Sequence, residues 1–194
     1  MKRIFLLGPI FFVAALITLT FLQYDFLRGL GWHPITAPTF DWPSGLSLGP
    51  YGIWMTATFL LSGLIMMAFG LRLCADLEPG TASQIGSSLL AFSGLALAGL
   101  AFTTDPTIRT TPATWHGRLH DLSFVLLGLT LLPGMIFLGK AFRNDARWRD
   151  LGHYTWITVA LAIPAFMLKG IAFYVFLLSV LTWNEIIVAR LDRS

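Results

Sequence analysis

The sequence predicts an all-α protein, a polytopic transmembrane helical bundle of six spans with both termini in the cytoplasm. The chain of 194 residues is 56% hydrophobic and only 12% charged, with a mean hydropathy of +0.73. A soluble domain carries about 25% charged residues, because its surface must be polar. The apolar residues are gathered in long stretches, and the basic residues lie at the ends of those stretches. Composition, segment length and charge placement therefore all indicate a polytopic membrane protein.

Six apolar stretches have the roughly 17–25 residues that a helix needs to cross a bilayer. The first follows Lys2 and Arg3 and lacks a small-residue cleavage site, so we expect an uncleaved anchor rather than a signal peptide. The last two are separated only by Lys169 and Gly170 and should form a tight hairpin. We expect residues 1–194 to form a single transmembrane domain with spans at 4–22, 51–73, 85–102, 119–138, 152–168 and 171–188.

The basic residues are shared unevenly between the two predicted sides of the membrane. The termini and the loops 72–84 and 139–151 hold nine of the thirteen: Lys2, Arg3, Arg72, Lys140, Arg143, Arg147, Arg149, Arg190 and Arg193. The other side holds only Arg28, Arg109, Arg118 and Lys169. Because cytoplasmic loops are enriched in Lys and Arg, the first side is predicted to face the cytoplasm. We expect a multi-pass protein of the prokaryotic inner membrane, in contact with membrane lipids.

The predicted external loop, 23–50, is rich in proline, glycine and tryptophan. Its aromatic residues Trp32, Phe40 and Trp42 suit a segment at the level of the lipid headgroups, where such side chains are enriched. We therefore expect an ordered cap rather than a mobile linker, and a surface that membrane protein partners would contact. No nucleic-acid partner is expected, because the basic residues are scattered rather than gathered on one face.

Local signals predict how the third and fourth spans pack and end. Small residues at regular spacing in the third span favour close helix packing: Ser87, Ala91, Gly94 and Ala98. Pro106 is predicted to end the third helix, since its ring blocks continuation. Thr111 followed by Pro112 is typical of an N-cap with proline at the first helical position, and predicts the start of the fourth helix.

The residues suited to chemistry are concentrated on the predicted external side, where three of the four histidines lie. His116 and His120 are four residues apart, so they share one face of a helix, and Gly117 between them leaves room for a ligand. The positive end of the helix disfavours protonation, which keeps the imidazoles neutral, as metal ligands must be. Asp105 approaches from the preceding loop and can supply an oxygen ligand or orient an imidazole.

A metal site is one of two interpretations of this group. A catalytic zinc needs about three protein ligands, and His116, His120 and Asp105 are the candidates. Asp121 would then be catalytic, as a base or as the partner that orients a ligand histidine. The alternative is a polar lining at the membrane interface, in which the histidines bond to neighbouring acids. Haem fits less well, because two histidines on one helix cannot ligate both faces of one iron.

Three motifs carry a resemblance to a known family. They are Leu46-Ser-Leu-Gly-Pro-Tyr-Gly52, Phe102-x-x-Asp105-Pro106 and His116-Gly-x-x-His120-Asp121. With the six-span layout, they resemble the domain-of-unknown-function 998 family of bacterial and archaeal membrane proteins, over nearly the whole chain. The resemblance implies a fold, not an activity, and it suggests that the residues of the last two motifs belong together. The chain is more remotely similar to ceramidase-type membrane hydrolases, which pair an Asp with an HxxxH motif around zinc, but it lacks their third histidine and one span.

Three hypotheses about function follow. The first is an external-face site that handles a lipid or another hydrophobic small molecule, with zinc-assisted hydrolysis as its most concrete chemistry, since bound zinc lowers the pKa of water to about 7. The second is a non-catalytic accessory or scaffolding subunit of a larger membrane complex. The third is a transporter of a small solute.

Overall fold

A computed structural model describes residues 2–168 and 170–191, with side chains from Ile4 onward. Lys169 and Arg193, two of the residues used to predict the orientation, lie outside the described residues. The described chain is helical, without a β-strand, and has a short 3₁₀ helix at Ser44–Leu48. Its seven α-helices are α1 (Lys2–Leu22), α2 (Tyr24–Gly29), α3 (Gly52–Asp76), α4 (Thr81–Gly99), α5 (Trp115–Asn144), α6 (Arg149–Leu168) and α7 (Ala172–Arg190).

Six helices, all except α2, are long and apolar enough to cross a membrane, which confirms the predicted all-α bundle and its number of spans. One end of the bundle, the cap end, carries residues 23–51, called the cap, and the connection 100–114. The other end, the basic end, carries the turns 77–80 and 145–148. The outer face of the long helices exposes large apolar side chains to lipid: Leu7, Phe21, Ile53, Phe92, Leu129 and Leu178.

The six long helices form a closed ring. Each packs against two neighbours, in the order α1, α3, α4, α5, α6 and α7, with α7 returning to α1. The closest approach is between α3 and α4, where a Cβ atom on Gly94 would lie 2.2 Å from the backbone nitrogen of Met67. A Cβ on Gly63 would lie 2.2 Å from the backbone nitrogen of Ala98. The close packing predicted from the small residues is therefore confirmed.

The interior of the ring is packed differently along its length. Nearest the basic end it is filled by large side chains, including Phe142, Trp148 and Trp183. The Phe142 and Trp148 rings stack at 5.2 Å, and Trp183 Nε1 donates to the Thr155 hydroxyl at 2.9 Å. A separate apolar cluster lies toward the cap end.

The cap is ordered and belongs to the core of the cap end. Trp32 is 3% exposed, and Leu27 and Leu46 are fully buried against α1 and α3. Gln23 Nε2 donates to the Leu46 carbonyl at 3.2 Å, and Trp42 Nε1 donates to the Thr20 hydroxyl at 3.0 Å. These contacts agree with the expected cap. Whether the cap also contacts partner proteins stays a prediction.

Two predicted helix boundaries are wrong. Helix α4 ends at Gly99, before Pro106. The next three N–H groups donate to carbonyls three residues back, and the carbonyls of Leu100 and Phe102 accept from His120. Helix α5 begins at Trp115 with Thr114 as its N-cap, so Thr111 and Pro112 precede it. The Thr114 hydroxyl accepts from the Gly117 N–H at 3.1 Å, which satisfies one of the free donors of the first turn.

Candidate functional site

Asp105 organises the start of α5. Its carboxylate accepts from the Thr114 hydroxyl and from the Thr114 backbone N–H, both at 2.8 Å. These two bonds, opposed by partial desolvation and helped by Arg109 and His116, hold the pKa of Asp105 below its ordinary value. A Cβ on Gly117 would lie 2.2 Å from the Asp105 carboxylate, so glycine is required for this approach. Both carboxylate oxygens are therefore engaged in capping the helix.

His116 is held against the connection that precedes α5. Its Nδ1 lies 2.8 Å from the Thr103 carbonyl oxygen and 3.0 Å from the Thr114 hydroxyl. Because a carbonyl only accepts, Nδ1 carries the hydrogen and donates. The Trp115 ring meets the imidazole edge-on at 5.6 Å. His116 thus helps to hold the connection in place.

His120 is buried, with 3% of its surface exposed, and all its polar atoms have partners. Nδ1 lies 2.8 Å from the Phe102 carbonyl and 3.1 Å from the Leu100 carbonyl, so Nδ1 carries the hydrogen. In the neutral ring Nε2 then has a free lone pair, and the Ser44 hydroxyl donates to it at 2.9 Å. Two backbone carbonyls therefore fix the tautomer and direct Nε2 toward Ser44.

The four predicted site residues all lie at the cap end, but they do not converge on one point. Within the described residues, no group of three or more His, Cys, Asp or Glu is placed to hold a metal ion. Asp105 is engaged by Thr114, and His120 is oriented by carbonyls rather than by Asp121, which is exposed. Ligation of zinc by Asp105, His116 and His120 stays a prediction without a supporting contact, as does catalysis by Asp121.

The other two histidines stand apart from this group. The backbone of His33 pairs with that of Ala37 inside the cap. His153 lies in α6 near the basic end, edge-on to Trp156 at 6.1 Å. Neither joins His116 or His120.

A cavity of about 470 Å³, the mouth cavity, opens beside His120 between the cap, the 100–114 connection and helices α5 to α7. Its wall combines polar and aromatic side chains, including Asp41, Ser44, Thr104, His120, Asp121 and Phe173. The Asp41 carboxylate accepts from the Thr107 N–H at 3.0 Å and from the Thr107 hydroxyl. This link fastens the cap to the connection across the rim of the cavity.

Two apolar chambers continue from the mouth cavity into the ring. The middle chamber, of about 100 Å³, shares Pro43, Ser44 and Phe124 with the mouth cavity. The inner chamber, of about 110 Å³, shares Phe12, Leu127 and Leu177 with the middle chamber. Their walls are almost entirely apolar, which suits an apolar guest. Polarity therefore drops between the mouth cavity and the two chambers.

The fold and the site define a class: a polytopic membrane protein whose ring of helices holds a graded cavity beneath an ordered cap. The chain matches the family model described as "Protein of unknown function (DUF998)" over residues 7–189. It belongs to that family, which confirms the resemblance inferred from the motifs. No curated protein and no solved structure shows a significant match to the chain. The similarity to ceramidase-type hydrolases stays a prediction.

Sequence reasoning missed Ser44, which is 76 residues from its partner His120. It also missed the link between Asp41 and Thr107. Asp41 and Ser44 flank Trp42 and Pro43, in a stretch whose visible pattern is aromatic and proline-rich. A serine beside Pro and Gly is common in turns, so no local pattern distinguishes Ser44 from a turn residue.

Proposed function

We propose that the protein binds a single-chain amphiphile, with its polar head in the mouth cavity and its hydrocarbon chain in the two chambers. The observation that carries this proposal is the sequence of three cavities that share lining residues and change from polar to apolar. A ligand site typically has a mainly apolar wall with a few polar groups that fix orientation. An amphiphile has the same gradient along its length.

The lining of the mouth disfavours an anionic head and suits a head that carries hydroxyl groups. Asp41 and Asp121 line the cavity, so an anionic head would be repelled. Ser44, Thr39 and Thr104 carry hydroxyl oxygens that accept hydrogen bonds from hydroxyl groups. A monoacylglycerol has this chemistry and a single chain.

Passage of a solute through the ring is less well supported than binding. The interior nearest the basic end is occupied by Phe142, Trp148 and Trp183, which are fully buried. A binding site that does not continue to the basic end fits this packing.

We further propose that the cap end faces outward from a prokaryotic inner membrane, as the distribution of basic residues indicates. In a variant without Cys74, cysteine at exposed Arg109 is expected to react with a membrane-impermeant maleimide in intact cells. Cysteine at exposed Ala146, in the basic-end turn, is the matched control and should react only after the membrane is broken. The reverse pattern would overturn the orientation.

Gly128→Leu tests binding, because Gly128 lines the middle chamber and a Cβ there meets nothing within 4 Å. The Cβ therefore fits without disturbing the helix, and the rest of the leucine side chain is expected to occupy the chamber. The probe is a monoalkylglycerol ether with a diazirine near the end of its chain, added to protein in lipid nanodiscs. Photolabelling should fall on chamber residues such as Leu127 and Leu177, and Gly128→Leu should reduce it at least about tenfold, equivalent to about 1.4 kcal/mol.

Gly29→Leu is the matched control, since Gly29 is exposed in the cap and its Cβ also meets nothing within 4 Å. Labelling of this variant should equal that of the wild type. The proposal fails if the probe labels only lipid-facing residues such as Leu178, or if Gly128→Leu labels as strongly as the control.

A further inference from the structure

We propose that Ser44 and His120 are a nucleophile and general base that hydrolyse the ester of an acylglycerol. The identity of the substrate rests on the proposed function, whereas the reactivity of the pair does not. The Ser44 hydroxyl donates to His120 Nε2 at 2.9 Å, within the roughly 2.6–3.2 Å expected between a nucleophile and its base. The base is in turn oriented by a third group, here the carbonyls of Phe102 and Leu100.

The position of Ser44 along the cavity agrees with this role. Ser44 lines both the mouth cavity and the middle chamber, so it stands where polar walls give way to apolar ones. In an acylglycerol, the ester joins the polar head to the hydrocarbon chain. An amphiphile placed with its head in the mouth and its chain in the chambers therefore has its ester beside Ser44.

The surroundings of Ser44 hold it firmly. It begins the 3₁₀ helix of the cap, followed by the buried residues Gly45 and Leu46. The Ser47 hydroxyl donates to the Ser44 carbonyl at 2.7 Å, and Gln23 holds the Leu46 carbonyl. A nucleophile needs this kind of support, because small displacements from the reactive geometry reduce the rate strongly.

The reaction consumes one ester and one water. Ser44 Oγ attacks the ester carbonyl carbon while its proton passes to His120 Nε2. The bond from that carbon to the glycerol oxygen breaks, and His120 Nε2–H protonates the leaving oxygen. Water then attacks the acyl-serine, giving its proton to His120, and the serine leaves with that proton as the fatty acid is released. The hydroxyl of Thr39 lines the same cavity and is the donor that we assign to the charge that develops on the carbonyl oxygen.

A fluorophosphonate probe tests the pair directly, because it phosphonylates an activated serine and releases fluoride. Mass spectrometry of the wild-type protein in detergent is expected to find the adduct on Ser44. The variant Ser44→Ala should lose the adduct. His120→Gln keeps an N–H donor toward the carbonyls but cannot accept a proton, and it should label about 10²–10⁴ times more slowly. Ser88→Ala, which changes an exposed serine of α4 that lines none of the three cavities, is the matched control and should label like the wild type.

Release of fatty acid from a monoacylglycerol is measured in parallel, with and without a chelator. Activity that is lost in Ser44→Ala and unaffected by the chelator supports the serine mechanism, whereas activity abolished by the chelator overturns it. An adduct at another residue, or none at Ser44 in folded wild-type protein, also overturns it. The ether probe separates the two proposals: if it labels the chambers while the fluorophosphonate leaves Ser44 unmodified, binding stands and the catalytic pair does not.

Discussion

Replacing Gly94 by leucine is expected to prevent the bundle from assembling. A Cβ at this position would lie 2.2 Å from the Met67 nitrogen and 2.8 Å from the Gly63 carbonyl oxygen, both backbone atoms of α3. No side-chain rotation relieves such contacts, so the two helices must separate. Overpacking of a core costs about 1–3 kcal/mol where side chains can adjust, and the cost should exceed that range here.

The measurement is the yield of monodisperse protein in mild detergent, followed by thermal unfolding of whatever is recovered. Gly128→Leu is the control for stability, because it makes the same substitution in α5 where a Cβ meets nothing within 4 Å. It should be at least as stable as the wild type, because glycine in a helix interior costs about 0.5–1 kcal/mol relative to residues that favour helices. A Gly94→Leu protein that unfolds at the wild-type temperature would contradict the packing of α3 against α4.

Asp145→Ala is expected to weaken the contact between the α5–α6 turn and the α3–α4 turn at the basic end. Asp145 is 1% exposed and its carboxylate accepts from the backbone N–H of Arg147 at 2.9 Å, from the Arg147 guanidinium at 3.1 Å and from the Glu78 N–H at 3.3 Å. It thereby joins the α5–α6 turn to the α3–α4 turn. Hydrogen bonds to a charged group contribute about 1.5–3 kcal/mol, and we expect a loss of about 2–3 kcal/mol in the free energy of unfolding.

The stability lost in Asp145→Ala should depend on pH in a defined direction. Burial by itself would raise the pKa of Asp145, but the hydrogen bonds from Arg147 and Glu78 outweigh it, so the folded-state pKa lies below the ordinary 3.8. A carboxylate with a depressed pKa stabilises the folded state fully when the pH is above its unfolded-state pKa. This stabilisation is lost as the pH falls through the folded-state pKa. The difference in stability between wild type and Asp145→Ala should therefore be constant above about pH 5 and shrink below it.

Asp150→Ala is the matched control for this measurement. Asp150 pairs with Arg190 at the same end of the bundle, but its side chain is 62% exposed. Exposed ion pairs contribute about 0–1 kcal/mol, so this variant should unfold close to the wild-type temperature. Equal losses in the two variants would mean that burial of Asp145 is not what makes its contacts strong.

The candidate site shows which of its features a local sequence pattern predicts and which it does not. The spacing of His116 and His120 correctly predicts that both lie at the start of the fourth long helix, with Asp105 beside them. The sequence did not indicate what these groups bond to. Asp105 caps α5 through Thr114, and His120 turns to two carbonyls at the end of α4. Those partners are backbone atoms, which every residue carries, so composition and spacing do not distinguish them.

The sequence by itself determined the class of this protein. The length and hydropathy of each span are local properties, and they decide whether a segment is stable as a helix in lipid. It also determined the close packing of α4, through small residues at helical spacing. Only the tertiary structure decided that six helices close into a ring around a graded cavity. It alone placed Ser44 beside His120, 76 residues away. That contact depends on how the cap folds over the ring. Contacts between residues far apart in the chain produce no periodic pattern in the sequence.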